Sequence, residues 1–141
     1  MLEEAKKFFR EWSREIAFVT ALSATAGSLY TSNVLGWDVC GLCWFQRVLM
    51  YPLPVILGAA IFSKAREIRF SIVPLAIIGA FTSFYHYISI VIDPTRACGF
   101  YLPCTMKYQF FIGFTLRPRH LPLLSALAFG LIAVLIWKYE E

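Results

Sequence analysis

Long apolar stretches alternate with short charged segments along this chain. Four of the stretches carry almost no charged side chain, Arg47 being the exception within them: 16–35, 44–63, 70–92 and 121–137. The apolar core of a bilayer is about 30 Å thick, so a helix needs roughly 20 apolar residues to cross it. The pattern therefore predicts an all-α integral membrane protein, a four-transmembrane-helix bundle with a short interfacial segment in its second outer loop.

The four predicted spans leave little chain for anything else. Two outer loops, 36–43 and 93–120, lie between them. Hydrophobic residues make up 59% of the chain and charged residues only 16%, a balance that excludes an ordinary water-soluble domain. We therefore predict a single membrane domain covering 1–141, with no second domain, internal repeat or linker.

The basic residues indicate which way the bundle faces. Positive side chains precede the first span, fill the turn between the second and third, and follow the fourth: Lys6, Lys7, Arg10, Arg14, Lys64, Arg66, Arg69 and Lys138. The opposite side holds fewer in a longer loop: Arg96, Lys107, Arg117 and Arg119. The positive-inside rule predicts a multi-pass protein of the cytoplasmic membrane with both termini cytoplasmic. The net charge of +4 thus reflects topology. The sequence has no basic stripe with interleaved aromatic residues, the pattern that would predict nucleic-acid binding.

A cleavable signal peptide is an alternative interpretation of 1–26, because Ala24-Thr25-Ala26 resembles a cleavage site. The segment before it is long for a signal peptide and is rich in acidic residues: Glu3, Glu4, Glu11 and Glu15. Cleavage would also leave three spans, with the termini on opposite sides of the membrane. We therefore expect the small residues from Ala21 to Ser28 to form a surface on which another helix packs closely.

Two local patterns refine the spans. Pro52 and Pro54 each remove a backbone hydrogen bond, which predicts a bend in the second span. In the second outer loop, 106–114 is too short to cross a bilayer but rich in phenylalanine. We expect this segment to lie at the membrane surface, with its aromatic side chains in the headgroup region.

Four cysteines fall in two close pairs beside the predicted spans. Cys40 and Cys43 lie at the start of the second span, and Cys98 and Cys104 lie in the second outer loop. With four spans, both pairs emerge on the outer face, where they can exchange a disulfide. The dipole and the backbone N–H groups at a helix N-terminus stabilise a thiolate, the species that attacks disulfides. The arrangement predicts electron transfer by thiols.

Two polar residues lie at membrane depth below the cysteines. Arg47 follows Cys43 by four residues on the same helical face, and His86 lies in the outer part of the third span. Ionisable residues at this depth usually have a functional partner, such as a thiolate or an electron-rich cofactor oxygen. Two alternatives stay open: Arg47 can extend to the lipid headgroups, and a single histidine can be a hydrogen-bonded packing residue.

The segment from Cys40 to Arg47, Cys-Gly-Leu-Cys-Trp-Phe-Gln-Arg, resembles the CxxCxxxR signature of the DsbB/BdbC family of membrane disulfide-generating oxidases. The resemblance extends over nearly the whole chain, through the four spans and the second cysteine pair. It implies a quinone-dependent protein-disulfide oxidoreductase that uses ubiquinone or menaquinone. The implied partners are a reduced extracytoplasmic thioredoxin-fold thiol oxidase, which is DsbA-like, membrane lipid and the quinone pool.

The same resemblance implies a route for the electrons through four catalytic cysteines. The reduced partner attacks Cys98, and Cys104 is displaced as a thiolate. Cys104 then attacks Cys40, and Cys43 becomes the thiolate next to the quinone.

Cofactor contacts are implied for two further residues. Arg47 matches the family arginine near the quinone head, where it would hold a ring oxygen and stabilise negative charge. His86 resembles the histidine near the quinone in this family. No metal is expected: a four-cysteine zinc site is chemically possible, but an oxidising location outside the cytoplasm favours disulfides.

Two other readings of the cysteines remain. A non-enzymatic four-helix membrane protein with two structural disulfides would carry the same pairs, but its disulfides would be inert to a dithiol partner. Vitamin K epoxide reductase-like quinone reductases also use two cysteine pairs on a four-helix core. Their CxxC pair lies near the last span, the opposite of the order in this chain.

Overall fold

The computed structural model describes residues 1–36, 41–65, 67–93 and 120–139, together with the backbone of 108–109 and 115–116. Five helices and two short strands lie in this part of the chain. They are α1 Leu2–Asn33, α2 Gly41–Met50, α3 Pro52–Ser63, α4 Arg69–Ile92, β1 Tyr108–Gln109, β2 Thr115–Leu116 and α5 His120–Tyr139.

Helix α1 begins well before the predicted span 16–35. Its 32 residues extend about 48 Å at 1.5 Å per residue, more than a bilayer core is thick. Three segments are long and apolar enough to cross a membrane: Gly41–Ser63, Arg69–Ile92 and His120–Tyr139. Helix α1 falls short because small and hydroxyl-bearing residues fill its second half and lower its hydropathy. The helical membrane fold is therefore confirmed, and the count of four spans stays a prediction.

Helices α2 and α3 form one apolar segment with an interruption at Tyr51. The backbone of Tyr51 is helical, with φ −63° and ψ −35°. Its N–H donates to the carbonyl oxygen of Arg47 at 2.9 Å, so the hydrogen bonding of α2 reaches this residue. Pro52 and Pro54 then supply no N–H, and the regular ladder is lost for a turn. The interruption lies where the two prolines predict a bend.

The two outer loops differ from their predicted form. The prediction of a loop over 36–43 is wrong for its last residues, because α2 begins at Gly41 and Cys43 lies in its first turn. In the second loop β1 and β2 pair antiparallel, Tyr108 with Leu116 and Gln109 with Thr115, which the sequence did not predict. The rest of the predicted interfacial segment 106–114 lies outside the described residues.

The helices pack in a ring, in the order α1, α2 with α3, α4, α5 and back to α1. The C-terminal ends of α1 and α4 and the N-terminal ends of α2 and α5 lie together, and we call this end of the bundle the cysteine end. The core is apolar from the middle of the bundle to the other end: Leu53, Leu57, Ala60, Ile72, Ala76, Phe129, Ile132 and Ile136 are all nearly inaccessible to solvent. This apolar core fixes how closely the helices approach one another below the cysteines.

Small residues allow two of these close approaches. A Cβ at Gly79 would lie 2.4 Å from the ring of Phe129, so α4 and α5 approach this closely because residue 79 has no side chain. On α1, Ala17 and Ala21 are fully buried, and of these two Ala21 belongs to the predicted packing surface. A Cβ added at Gly27 would have no atom of another side chain or helix within 4 Å, so the small residues of α1 pack on one side only.

Candidate functional site

The first two turns of α2 carry three polar or reactive side chains in a fixed angular order. Successive residues of an α-helix are about 100° apart, so the direction of Cys43 lies between those of Gln46 and Arg47, about 60° from one and about 40° from the other. Cys43 is half-buried, and Gln46 is only 8% exposed. One turn of α2 thus places a cysteine above an amide on one side and a guanidinium on the other.

Arg47 points toward α1. Its Nη2 donates to the backbone carbonyl oxygen of Ser28 at 3.3 Å, and its Cζ lies 5.8 Å from the centre of the Trp44 ring. A guanidinium has five N–H donors, and this carbonyl is its hydrogen-bond partner among the described residues. The contact with α1 favours a place for Arg47 within the bundle over extension to the headgroups, with donors left for an oxygen-bearing group.

The surface of α1 beside Arg47 is polar. Ser28 Oγ lies 3.5 Å from the hydroxyl oxygen of Tyr51. The hydroxyl oxygens of Thr25 and Ser32 lie on the same side of α1, are buried, and have no hydrogen-bond partner within the described part of the chain. Buried hydroxyl groups are normally hydrogen-bonded. Hydroxyl groups thus lie on the side of α1 that Arg47 contacts.

His86 contacts Gln46 rather than Arg47. Its Nδ1 lies 3.1 Å from Gln46 Nε2, and the imidazole is only 1% exposed. Sequence analysis places both Arg47 and His86 at membrane depth below the cysteines. The structure brings His86 to Gln46, the residue before Arg47 on α2, so the amide lies between the histidine and the face that carries Arg47.

Two serines extend this contact across the bundle. Ser125 Oγ lies 3.2 Å from Gln46 Oε1 and 2.7 Å from Ser83 Oγ, and Ser83 is fully buried. Side chains from α2, α4 and α5 are therefore joined in one hydrogen-bonded chain. The sequence analysis missed Gln46, Ser83 and Ser125. The available signals were an amide inside an apolar helix and Ser83 one turn before His86 on α4.

Of the four cysteines, the structure describes Cys43. Cys40, Cys98 and Cys104 lie outside the described residues, so their predicted pairing and their route of exchange stay predictions. Among the residues that are described, no three His, Cys, Asp or Glu side chains are grouped so as to hold a metal ion.

Comparison with known proteins decides the family. The family model "Disulfide bond formation protein DsbB" matches residues 10–138. The chain belongs to the DsbB family. The resemblance to the DsbB/BdbC family is thereby confirmed, and a vitamin K epoxide reductase-like assignment is not supported.

Curated relatives in the DsbB family match over most of their length. "Disulfide bond formation protein C" of Bacillus subtilis (strain 168) is 39% identical over 121 residues, 84% of this chain and 85% of the relative. A "Probable disulfide formation protein C" of Bacillus cereus is 38% identical over 133 residues, 89% of this chain and 92% of the relative. A "Probable disulfide formation protein" of Coxiella burnetii is 36% identical over 137 residues, 94% of this chain and 87% of the relative. No solved structure matches the chain.

Membership in the DsbB family supports a general role in disulfide formation and an oxidoreductase activity in a membrane. The segment that resembles the family signature lies at the start of α2, where Cys43 and Arg47 are four residues apart.

Proposed function

We propose that this protein generates disulfides by passing electrons from a reduced extracytoplasmic thioredoxin-fold thiol oxidase to a membrane quinone, ubiquinone or menaquinone. The observation that carries the proposal is the position of Cys43 in the first turn of α2, one turn above Arg47. A thiolate at Cys43 would lie near the positive end of the helix dipole and near a guanidinium. The site is thus suited to hold negative charge beside an electron acceptor.

The exchange reactions balance as a relay of two electrons. A thiolate of the reduced partner attacks Cys98 and breaks its disulfide with Cys104. The Cys104 thiolate attacks Cys40 and displaces the Cys43 thiolate. The partner's second thiolate then releases the partner as a disulfide, and Cys98 recaptures Cys104. The net result is an oxidised partner, a restored outer disulfide, and Cys40 and Cys43 as a dithiol.

The residues around Arg47 fit the quinone that this scheme requires. Arg47 makes one hydrogen bond, to the Ser28 carbonyl, among the described residues and has further N–H donors. A quinone bound there would supply an acceptor for the two electrons and two protons that the Cys40–Cys43 dithiol gives up in becoming a disulfide. Arg47 would hold the acceptor oxygen and stabilise the charge that develops there, and His86 would supply a second polar group.

The proposal also fixes the orientation in the membrane. The basic residues at the opposite end would lie in the cytoplasm, and the cysteine end would face outward, where the partner and an oxidising environment are found. A reporter that is active only in the cytoplasm, fused after Glu141, should be active. An inactive reporter there, with activity when it is inserted after Pro94, would reverse the orientation and contradict the oxidase function.

The reaction itself can be tested anaerobically with purified protein, a reduced thioredoxin-fold dithiol and either quinone, by following quinone absorbance. The Cys43→Ser variant should lose thiol-dependent quinone reduction, because no thiolate remains to pass electrons. The Arg47→Ala variant should need about 10-fold to 100-fold more quinone for half-maximal rate, since a hydrogen bond to a charged group contributes about 1.5–3 kcal/mol.

Arg69→Ala is the matched control for Arg47→Ala. Arg69 also lies over a ring, with its Cζ 5.1 Å from the Phe70 centre, but it begins α4 at the opposite end. This variant should reduce quinone as the unaltered protein does. If the unaltered protein reduces no quinone with any dithiol, the proposal fails and the disulfides are structural.

A further inference from the structure

The backbone carbonyl oxygen of Ser28 on α1 receives more hydrogen-bond donors than an ordinary helix carbonyl. Arg47 Nη2 lies 3.3 Å from this oxygen, and the hydroxyl of Thr31, about one turn further along α1, donates to it at 2.9 Å. The regular ladder of α1 also directs the N–H of Ser32 at the same atom. A carbonyl oxygen has two lone pairs, so three donors compete for two sites.

This competition agrees with the distance to Arg47. A charged N–H donor normally lies about 2.7–2.9 Å from its acceptor, whereas the contact between Arg47 Nη2 and the Ser28 carbonyl measures 3.3 Å. The Thr31 hydroxyl makes the shorter bond, since it belongs to the same helix as its acceptor. The guanidinium is therefore joined to α1 by a weakened hydrogen bond.

Other contacts hold α1 against α2 and α3, so the packing does not depend on the Arg47 bond. The Ser28 hydroxyl oxygen lies 3.5 Å from the hydroxyl oxygen of Tyr51. Deeper in the bundle, a Cβ at Gly58 of α3 would lie 3.2 Å from the Phe18 ring of α1. These contacts remain when Nη2 leaves the Ser28 carbonyl, so the guanidinium can move without separating the helices.

We propose that Thr31 is a positioning residue for Arg47: by sharing the Ser28 carbonyl, it allows the guanidinium to turn from α1 to an oxygen of the electron acceptor. This role rests on the proposed function, in which Arg47 holds a quinone oxygen. The quinone oxygen replaces the Ser28 carbonyl at Nη2, and the apparent affinity for quinone is reduced by the fraction of protein in which that donor is occupied. Without the Thr31 hydroxyl, Nη2 is held more tightly and more quinone is required.

NMR of the purified protein in detergent can observe the Ser28 carbonyl alone. Ser28-Leu29 is the single Ser-Leu step in the sequence, so carbonyl-labelled carbon-13 serine with nitrogen-15 leucine gives one correlated signal. The carbonyl carbon shift reports the hydrogen bonds that its oxygen accepts. Without quinone, Arg47→Ala should move this signal further in a Thr31→Val background than in the unaltered protein. Equal movements in the two backgrounds would mean that Thr31 does not weaken the Arg47 bond, which overturns the proposal.

Addition of ubiquinone or menaquinone to the same labelled protein tests the movement of Arg47. The Ser28 carbonyl signal should move in the direction in which Arg47→Ala moves it, because Nη2 leaves the carbonyl oxygen. A signal that stays in place, in protein that reduces the added quinone, would mean that Arg47 keeps its contact with α1, and the role given to Thr31 would be wrong.

The kinetics of quinone reduction provide an independent measurement. Thr31→Val should raise the quinone concentration for half-maximal rate by about threefold to tenfold, the range of one hydrogen bond, and leave the maximal rate unchanged. Thr31→Ser retains the hydroxyl and should behave as the unaltered protein does. Thr20→Val is the matched control and should change neither value. Thr20 also donates to a carbonyl of α1, that of Ile16 at 2.8 Å, but lies about three turns from Thr31.

The two proposals fail separately. If the unaltered protein reduces no quinone with any dithiol, the proposed function fails, and the role given to Thr31 fails with it even where the carbonyl is shared. If quinone is reduced but Thr31→Val leaves the half-maximal concentration unchanged, or lowers the maximal rate instead, the oxidase proposal stands and the positioning role is wrong.

Discussion

At the cysteine end, side chains of α2, α4 and α5 meet through hydrogen bonds, whereas toward the opposite end the helices meet through close-packed apolar side chains. Gln46, His86 and Ser125 represent the first arrangement, and Leu57 and Ile132 the second. Hydrogen bonds are directional, and apolar contacts are not. The polar end therefore specifies how each helix is rotated, while the apolar end supplies most of the packing that holds the bundle together.

The boundary between the two regions lies on facing turns of α4 and α5. Gly79 is one turn from Ser83 on α4, and Phe129 is one turn from Ser125 on α5. The close approach of Gly79 to the Phe129 ring brings the two serines within 2.7 Å of each other. The apolar contact thus sets the distance across which the polar chain forms.

The largest effect on stability is expected in the apolar region. Leu57 is fully buried, and Leu57→Ala should lower the free energy of unfolding by about 2–5 kcal/mol through the cavity it leaves. Thermal unfolding in detergent micelles would measure the loss. Val55→Ala is the control on the same helix, because Val55 is 71% exposed in the bundle and should tolerate truncation. Equal losses in the two variants would contradict the comparison.

A smaller effect is expected at the boundary. Gly79→Ala places a methyl group 2.4 Å from the ring of Phe129, which must shift, and overpacking of this kind costs about 1–3 kcal/mol. The same variant should also weaken quinone reduction, because moving α4 from α5 displaces His86, the proposed second polar group at the quinone, which lies on α4. Unfolding midpoints and quinone kinetics on the same samples would show both.

Gly130→Ala is the control for the boundary variant. It neighbours Phe129 in sequence, but a Cβ there would have nothing within 4 Å. Since alanine favours a helix over glycine, its unfolding midpoint should stay the same or rise slightly. If Gly79→Ala has the same unfolding midpoint as Gly130→Ala, the close approach of Gly79 to Phe129 does not set the distance between α4 and α5.

The smallest change in stability is expected in the polar region. Ser83→Ala removes one hydroxyl, but Ser125 keeps Gln46 Oε1 and the Pro122 carbonyl as acceptors. Hydrogen bonds between membrane helices contribute about 0.6 kcal/mol on average, and a loss of that size is expected. An unfolding titration would detect it. A loss as large as that of Leu57→Ala would mean that the hydrogen bonds, rather than the apolar core, hold the bundle together.

Most of the helical architecture was predictable because membrane spans are governed by local composition. The apolar stretches predicted α4 and α5 to within a few residues, and Pro52 and Pro54 marked the interruption between α2 and α3. The start of α1 was missed because its charged first half is helical without being apolar. The pairing of β1 with β2 was missed because each strand is only two residues long, too short for an alternating pattern of side chains to predict it.

By itself the sequence determined the membrane class, the close spacing of Cys40, Cys43 and Arg47, and the family to which the chain belongs. These are local features, set by hydrophobicity and by residues a turn apart. The tertiary structure alone decided that His86 contacts Gln46 and not Arg47, although Gln46 and Arg47 are adjacent in the sequence. Neighbours on a helix point about 100° apart, and the rotation of α2 is set by its packing against other helices. Likewise, Ser125 reaches Gln46 across 79 residues of sequence, a contact that only the folded bundle creates.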